Sequence, residues 1–95
     1  MRLYHRTDKW QEIMTEGFKD QVGHYMTGMA WIGVWFSSIP LDENQGGKGD
    51  TLLILEIPER EISQYELIEE GKSYREFLLP SEVANMYGTP TAVLY

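Results

Sequence analysis

One apolar stretch decides how this chain folds: Thr51-Leu52-Leu53-Ile54-Leu55-Glu56-Ile57. Its side chains are apolar on both faces until Glu56, and Pro58 follows directly after it. Successive side chains of a strand point to opposite faces, so this pattern is typical of a strand covered on both sides. We therefore expect a strand over 51–57 near the centre of a sheet.

The N-terminal region predicts a strand followed by the main helix of the chain. Residues 2–5 form the expected strand. Three apolar residues then follow at helical spacing: Trp10, Ile13 and Met14. Such spacing places one apolar stripe on a helix. We expect Thr7 to cap this helix, Asp8 to lie in its first turn and Gly17 to end it.

The rest of the sequence predicts mostly strands. Loops are expected at 18–25 and 40–50, a turn at 70–72 and a short helix at 80–86. Further strands are expected at 33–37, 61–68, 73–79 and 91–95. One clear helix followed by a run of strands indicates an α+β fold, and 95 residues fit a single domain over 1–95.

Composition narrows the classes of function. The net charge of −7 repels nucleic-acid backbones, and the absence of cysteine excludes thiol chemistry and Cys-based zinc sites. With only two histidines, no metal site is expected. No apolar run is long enough for a signal peptide or a bilayer span. A cytoplasmic protein without membrane contact is the expectation.

Glu76 is the residue that most suggests a site. It lies inside the apolar segment 74–79, where an unpaired buried carboxylate costs several kcal/mol. Either Arg75 or another base neutralises it, or it has a function. Strand alternation directs Arg75 to the opposite face, so a direct pair with Arg75 is poor.

A second candidate is Trp35, within Gly33-Val34-Trp35-Phe36-Ser37. Alternation places Gly33, Trp35 and Ser37 on one face, which predicts open space beside the indole. Such a face suits a flat cationic ring, and the alternative is a tryptophan of the core. His5, taken alone, is more typical of a hydrogen-bonded, partly buried histidine than of a catalytic one.

The order of these motifs resembles the ADP-ribosyltransferase superfamily. The relevant segments are Tyr4-His5-Arg6-Thr7, a helix ending at Gly17-Phe18, the Gly33–Ser37 run, the 52–57 strand and Tyr74-Arg75-Glu76-Phe77. They are similar to the histidine–tyrosine–glutamate branch, which includes diphtheria toxin and the poly(ADP-ribose) polymerases. The resemblance implies a compact, split β-sheet core with one main N-terminal helix, as a minimal bacterial-type domain.

The resemblance also implies roles for individual residues. His5 matches the histidine that holds the adenosine ribose of NAD, and Glu76 matches the catalytic glutamate that binds the nicotinamide ribose. Arg6 stands where the family has a glycine whose backbone holds nicotinamide, and Thr7 matches the next hydroxyl residue. Trp35 stands in place of the stacking tyrosine. Ser37 completes the expected NAD-contacting set.

The implied activity is cleavage of the nicotinamide–ribose bond of NAD, with ADP-ribose passing to water or to an unknown protein or nucleic-acid acceptor, as in a toxin. Two alternatives stay open: an RNA 2′-phosphotransferase, and a noncatalytic nucleotide- or protein-binding module of the same fold. A homo-oligomer is also considered, on an apolar patch formed by Trp31, Met26 and Met29.

Overall fold

The segment expected at the centre of a sheet is strand β4, Thr51–Glu56, in a computed structural model that describes residues 1–24, 30–41 and 49–94. It pairs antiparallel with β1 (Arg2–Thr7) on one side and with β7 (Thr91–Leu94) on the other. Leu53 and Leu55 of β4 are buried on one face and Leu52 on the other. The prediction of a covered inner strand is confirmed.

The other half of the sheet is built around β3, Ala30–Ser37. Its first half pairs with β2 (Gln21–His24), and its second half pairs with β6 (Glu76–Leu79). Strand β6 in turn pairs with the short β5 (Glu66–Leu67). The described strands thus form a seven-stranded antiparallel sheet in the order β5-β6-β3-β1-β4-β7, with β2 attached to β3.

The two halves of the sheet meet at a narrow junction between β1 and β3. A single register pair, Tyr4 opposite Ser37, joins these strands, whereas the β1–β4 ladder extends along the whole of β1. Next to this pair, the Nδ1 atom of His5 lies 2.7 Å from the carbonyl oxygen of Trp35. A side chain thus replaces the backbone ladder where β1 and β3 part.

Three short helices complete the described part of the chain. They are α1 (Trp10–Glu16), α2 (Glu59–Ile62) and α3 (Ser81–Ala84), and α2 and α3 each continue into a 3₁₀ turn. Helix α1 is the longest of them, as expected, and the architecture is mixed α+β. Among the described residues, no helix has the length and apolar character needed to cross a membrane.

The hydrophobic core lies against one face of the sheet. Four strands supply buried apolar side chains to it, and α2, α3 and the segment after α1 close it from the other side. Its buried members are Leu3, Phe18, Val34, Phe36, Leu53, Leu55, Ile57, Ile62, Phe77, Leu79 and Ala84. At roughly 25 cal/mol per Å² of apolar surface, this burial is the main stabilising contribution in so small a domain.

The end of α1 is as expected, but its beginning is not. Gly17 follows the helix with φ of 83°, and its N–H donates to the Ile13 carbonyl at 2.8 Å. Thr7, however, still belongs to β1, and the N-cap position is Lys9. The Thr7 hydroxyl accepts a hydrogen bond from the Lys9 N–H at 2.9 Å, so it closes the turn before the helix. Asp8 consequently precedes the first turn.

Two expectations about secondary structure are wrong. The 18–25 loop contains strand β2, and its residues Gln21-Val22-Gly23-His24 carry no hydrophobic alternation to detect. The 61–68 strand is instead α2, a 3₁₀ turn and two residues of β5. Pro58 precedes α2, and a proline before a helix favours its first turn.

Several boundaries also shift. Strand β3 begins at Ala30, three residues before the expected start, and β6 begins at Glu76, three residues after it. The turn at 70–72, the helix at 80–86 and the final strand agree with the structure. Of the expected 40–50 loop, residues 42–48 lie outside the described residues.

Candidate active site

Trp35, Ser37 and Glu76 share one face of the sheet. Ser37 lies directly opposite Glu76 across the β3–β6 ladder, and Trp35 lies opposite Leu78. Residues opposite each other in an antiparallel pair project to the same side. The alternate residues of β3, Val34 and Phe36, are buried in the core on the other face. The expected alternation along β3 is therefore confirmed, and Trp35 is not among the residues of the core cluster.

The base that neutralises Glu76 is Lys72. The Lys72 Nζ atom lies 3.2 Å from Glu76 Oε1 and 3.1 Å from Glu69 Oε2. The Glu76 side chain is only 13% exposed, so this pair partly offsets the cost of burying a carboxylate. Lys72 also lies over the ring of Tyr74, 5.3 Å from its centroid.

Arg75 points away from Glu76, as the alternation predicts. Its guanidinium binds both carboxylate oxygens of Glu66, with Nε at 3.0 Å and Nη2 at 2.7 Å, and it also contacts Glu59. The hydrogen bonds to Glu66 are the main cause of the raised pKa of Arg75, and those same bonds lower the pKa of Glu66. This cluster ties β5 and α2 to β6 on the far side from Glu76.

Charge and burial act together around Glu76. Burial opposes the charged form of Lys72, but its hydrogen bonds with Glu69 and Glu76 prevail and raise its pKa. Burial, followed by the negative charge of Glu76, raises the pKa of Tyr74. The result is a cation and a neutral phenol beside the carboxylate at neutral pH.

The space beside Gly33 is filled, contrary to the expectation of an open gap next to the indole. A Cβ atom at Gly33 would lie 2.8 Å from the Leu79 carbonyl oxygen and 3.0 Å from Leu78 Cδ1. Its φ of 151° is also one that L side chains rarely adopt. Gly33 therefore allows close packing of β3 on β6, and any ligand at Trp35 has to approach from another side.

His5 lies on the core face, opposite to Trp35 and Glu76. It pairs in register with the buried Leu53, and its ring contacts those of Phe18 and Phe36 at centroid distances of 5.6 and 5.5 Å. Burial lowers its pKa and outweighs the opposing effect of the bond to the Trp35 carbonyl. The structure thus does not bring the imidazole together with the indole and the carboxylate.

The side chains of Arg6 and Thr7 support local structure. Arg6 donates from Nε to the Gly49 carbonyl at 2.9 Å and from Nη1 to the Leu41 carbonyl at 2.8 Å. It therefore fixes the two chain segments on either side of 42–48. Thr7 lies on the same face of β1 as His5 and holds the turn before α1 through Lys9.

The hydroxyl of Ser37 serves the junction of β1 and β3. It donates to the Ile39 carbonyl at 2.6 Å and lies 3.4 Å from the Tyr4 carbonyl oxygen. Ser37 is 4% exposed, so its side chain is enclosed at this position.

Sequence reasoning missed two residues that shape this region. Lys72 lies in a turn, where a basic residue is usually solvated, and only its fold back onto β6 makes it a partner of Glu76. Asn85 holds Phe18 by two hydrogen bonds, accepting from its N–H at 2.8 Å and donating to its carbonyl at 3.0 Å. Phe18 then packs against His5. A link between residues 67 positions apart leaves no local signal.

Only part of the apolar patch considered for self-association belongs to the described residues. Met26 and Met29 are outside the described residues, and Trp31 is partly buried on β3. In the described part of the β2–β3 pair, Val22 and Ile32 lie opposite each other and are 63% and 62% exposed. Self-association stays a prediction.

Comparisons of this chain with protein-family models, with curated proteins and with solved structures found no match.

Proposed function

We propose that this domain binds NAD on the face of β3 and β6 and cleaves its nicotinamide–ribose bond, passing ADP-ribose to water or to an acceptor. The observation that supports this most is the register of β3 and β6. It places an aromatic ring, Trp35, and a partly buried carboxylate, Glu76, on one face with Ser37 directly opposite the carboxylate. The narrow β1–β3 junction is consistent with the split sheet that the motif order implies.

The chemistry fits a carboxylate at this place. Loss of nicotinamide passes through an oxocarbenium-like state, in which positive charge develops on the ribose. A carboxylate held at low exposure stabilises that charge more than it would in bulk water. The Trp35 face suits the cationic nicotinamide ring. Glu76 and Trp35 are therefore the residues that we assign to the reacting part of NAD.

His5 has a different place in this proposal. A carbonyl oxygen can only accept, so the hydrogen bond to Trp35 requires the proton on Nδ1. The ring lies on the core face against Phe18 and Phe36, away from the face proposed for NAD, so Nε2 is not assigned a contact with the ribose. The Nδ1 hydrogen bond fixes the backbone at Trp35, so His5 contributes to the site from the core side of the sheet.

A noncatalytic nucleotide-binding module is the second candidate. The observation that favours it is the Lys72–Glu76 pair. An ammonium at 3.2 Å partly neutralises the carboxylate, which then stabilises a developing positive charge less well. The RNA 2′-phosphotransferase alternative gains less support. An RNA phosphate needs basic side chains, and the arginines near the proposed site are engaged within the protein: Arg2 pairs with Glu56, Arg75 pairs with Glu66, and Arg6 binds backbone carbonyls.

The decisive experiment measures NAD binding by calorimetry and nicotinamide release by chromatography. We expect release from the wild-type protein, and a loss of about 100-fold in Glu76→Gln with NAD binding retained. Trp35→Ala should weaken NAD binding about tenfold, whereas Trp35→Tyr should retain it. Glu82→Gln, an exposed glutamate of α3, is the matched control and should behave as wild type.

The outcomes separate the candidates. No nicotinamide release from the wild type, or equal release from Glu76→Gln, would overturn the proposed reaction. Binding of NAD without turnover would select the noncatalytic module. Transfer of an internal RNA 2′-phosphate to NAD would select the phosphotransferase.

A further inference from the structure

Lys72 is held at three points beside Glu76. Its ammonium contacts Glu76 at 3.2 Å, contacts Glu69 at 3.1 Å and lies above the Tyr74 ring. Its side chain is 19% exposed although it belongs to the turn that leads into β6. A lysine at the surface is usually mobile and fully hydrated, so this enclosure costs side-chain entropy and desolvation. The arrangement therefore orders the ammonium group at the carboxylate.

In the described part of the chain, Lys72 is the cation that faces Glu76. In the segment that leads into β6, Lys72 and Tyr74 are the titratable groups that interact with Glu76. Glu69 is linked to it indirectly, because it contacts the same Lys72 ammonium. The flanking strands place Ser37 of β3 and Leu67 of β5 opposite Glu76, and neither is charged. The nearest guanidinium in sequence, that of Arg75, is bound on the other face.

An ammonium at this distance restricts the directions in which the carboxylate of Glu76 can turn. It engages Oε1, and the Tyr74 side chain also interacts with this carboxylate, so the Glu76 side chain is held from two sides. Glu69 contacts the same ammonium, so the total charge of Lys72, Glu69 and Glu76 stays negative.

We propose that Lys72 is a positioning residue that keeps Glu76 oriented for its contact with the ribose. This inference rests on the proposed function. Lys72 itself does not touch the substrate in this arrangement, so its removal should change the rate more than the affinity. Arginine at the same position should restore the effect, because it supplies a cation with hydrogen-bond donors.

A first test needs no activity. Selective ¹⁵N labelling of lysine and NMR titration follow the Lys72 ammonium in the apo protein. In Glu76→Gln we expect the Lys72 pKa to fall toward its ordinary value of 10.5, because one of its two carboxylate partners is lost. The matched control is the exposed Lys19–Glu16 pair: Glu16→Gln should leave Lys72 unchanged. An unchanged Lys72 pKa in Glu76→Gln would show that the pair does not form in solution and would overturn the proposal.

A second test measures nicotinamide release at several NAD concentrations. In Lys72→Met we expect kcat to fall about tenfold with KM changed less than about threefold. Lys72→Arg should recover most of the rate, and Lys19→Met should match the wild type. If Lys72→Met keeps the wild-type kcat, the positioning role is wrong while the proposed function stands. Absence of release from the wild type would overturn the proposed function and this role together, and the NMR result would still decide whether the ion pair exists.

Discussion

The imidazole of His5 donates from Nδ1 to the carbonyl oxygen of Trp35 over 2.7 Å, across the point where β1 and β3 part. The strands share only the Tyr4–Ser37 pair, so this bond replaces one that the backbone ladder would otherwise make. Burial of the His5 ring in the core favours its neutral form. The charge on this ring should couple to the stability of the whole domain.

The first prediction concerns that coupling. Burial lowers the folded-state pKa of His5 below 6.5, its ordinary value, so the unfolded chain binds the proton more readily. The contribution of His5 to stability is therefore complete above about pH 6.5 and is lost as the pH falls toward the folded-state pKa. Urea unfolding at pH 7.5 and 5.5 should show a lower free energy of unfolding at the acidic pH, by about 1 kcal/mol.

His5→Phe provides the control, because it keeps a ring in the same apolar surroundings and cannot titrate. It should be less stable than the wild type by about 1 kcal/mol at pH 7.5, since the Trp35 carbonyl loses its donor. Its stability should change less between the two pH values. An identical pH dependence in wild type and variant would contradict the prediction.

The second prediction concerns Asn85. Its amide makes two hydrogen bonds with the backbone of Phe18, whose ring packs on His5. Asn85→Ala leaves both backbone groups of Phe18 without this partner, and we expect a loss of about 2 kcal/mol in the free energy of unfolding. Gln64→Ala, at an exposed position, should change it by less than about 0.5 kcal/mol. Equal effects of the two substitutions would show that the Asn85 contacts do not contribute to the free energy of unfolding.

The parts of the fold that the sequence predicted are those with strong local signals. The apolar run of β4, the helix ending at Gly17 and the alternation of Val34, Trp35 and Phe36 each follow from the identity of a few neighbouring residues. The class of fold follows from their order. The resemblance of this chain to the ADP-ribosyltransferase superfamily rests on the same motifs, and membership in that superfamily stays a proposal.

The parts that it missed depend on contacts between distant segments. The β2 strand exists because β3 offers it an edge, and its own residues carry no alternation. Lys72 becomes part of the site only when its turn folds onto β6. The burial of His5 on the core face follows from its register opposite Leu53, which a motif match does not fix.

The third prediction uses the Arg75 cluster, which joins β5 and α2 to β6. Arg75→Met should lower the free energy of unfolding by about 1 kcal/mol at pH 7, a modest value because the guanidinium is partly exposed and screened by solvent. The lowered pKa of Glu66 means that this contribution is present above pH 4.5 and is lost as the pH falls through the folded-state value. The difference between wild type and variant in urea unfolding should therefore shrink as the pH is lowered below 4.5.

Arg60→Met is the matched control for Arg75→Met. Arg60 is 85% exposed and contacts Glu61 at 3.7 Å, a geometry that contributes little to stability. We expect no measurable change at neutral or acidic pH. A loss in Arg60→Met as large as that in Arg75→Met would assign the effect to net charge instead of to the Glu66 contact.

The fourth prediction compares two glycines with positive φ. Gly71 has φ of 83° and no heavy atom within 4 Å of a Cβ placed there, so Gly71→Ala should cost only the backbone strain of that conformation, about 1 kcal/mol. At Gly33, the Cβ would also lie 2.8 Å from the Leu79 carbonyl oxygen, within the β3–β6 ladder that aligns Ser37 with Glu76. Gly33→Ala should therefore cost about 3 kcal/mol, because β3 and β6 have to separate to accommodate the methyl group. Urea unfolding of both variants measures the difference, and equal losses would mean that backbone conformation alone, and not the close approach of the two strands, requires glycine at position 33.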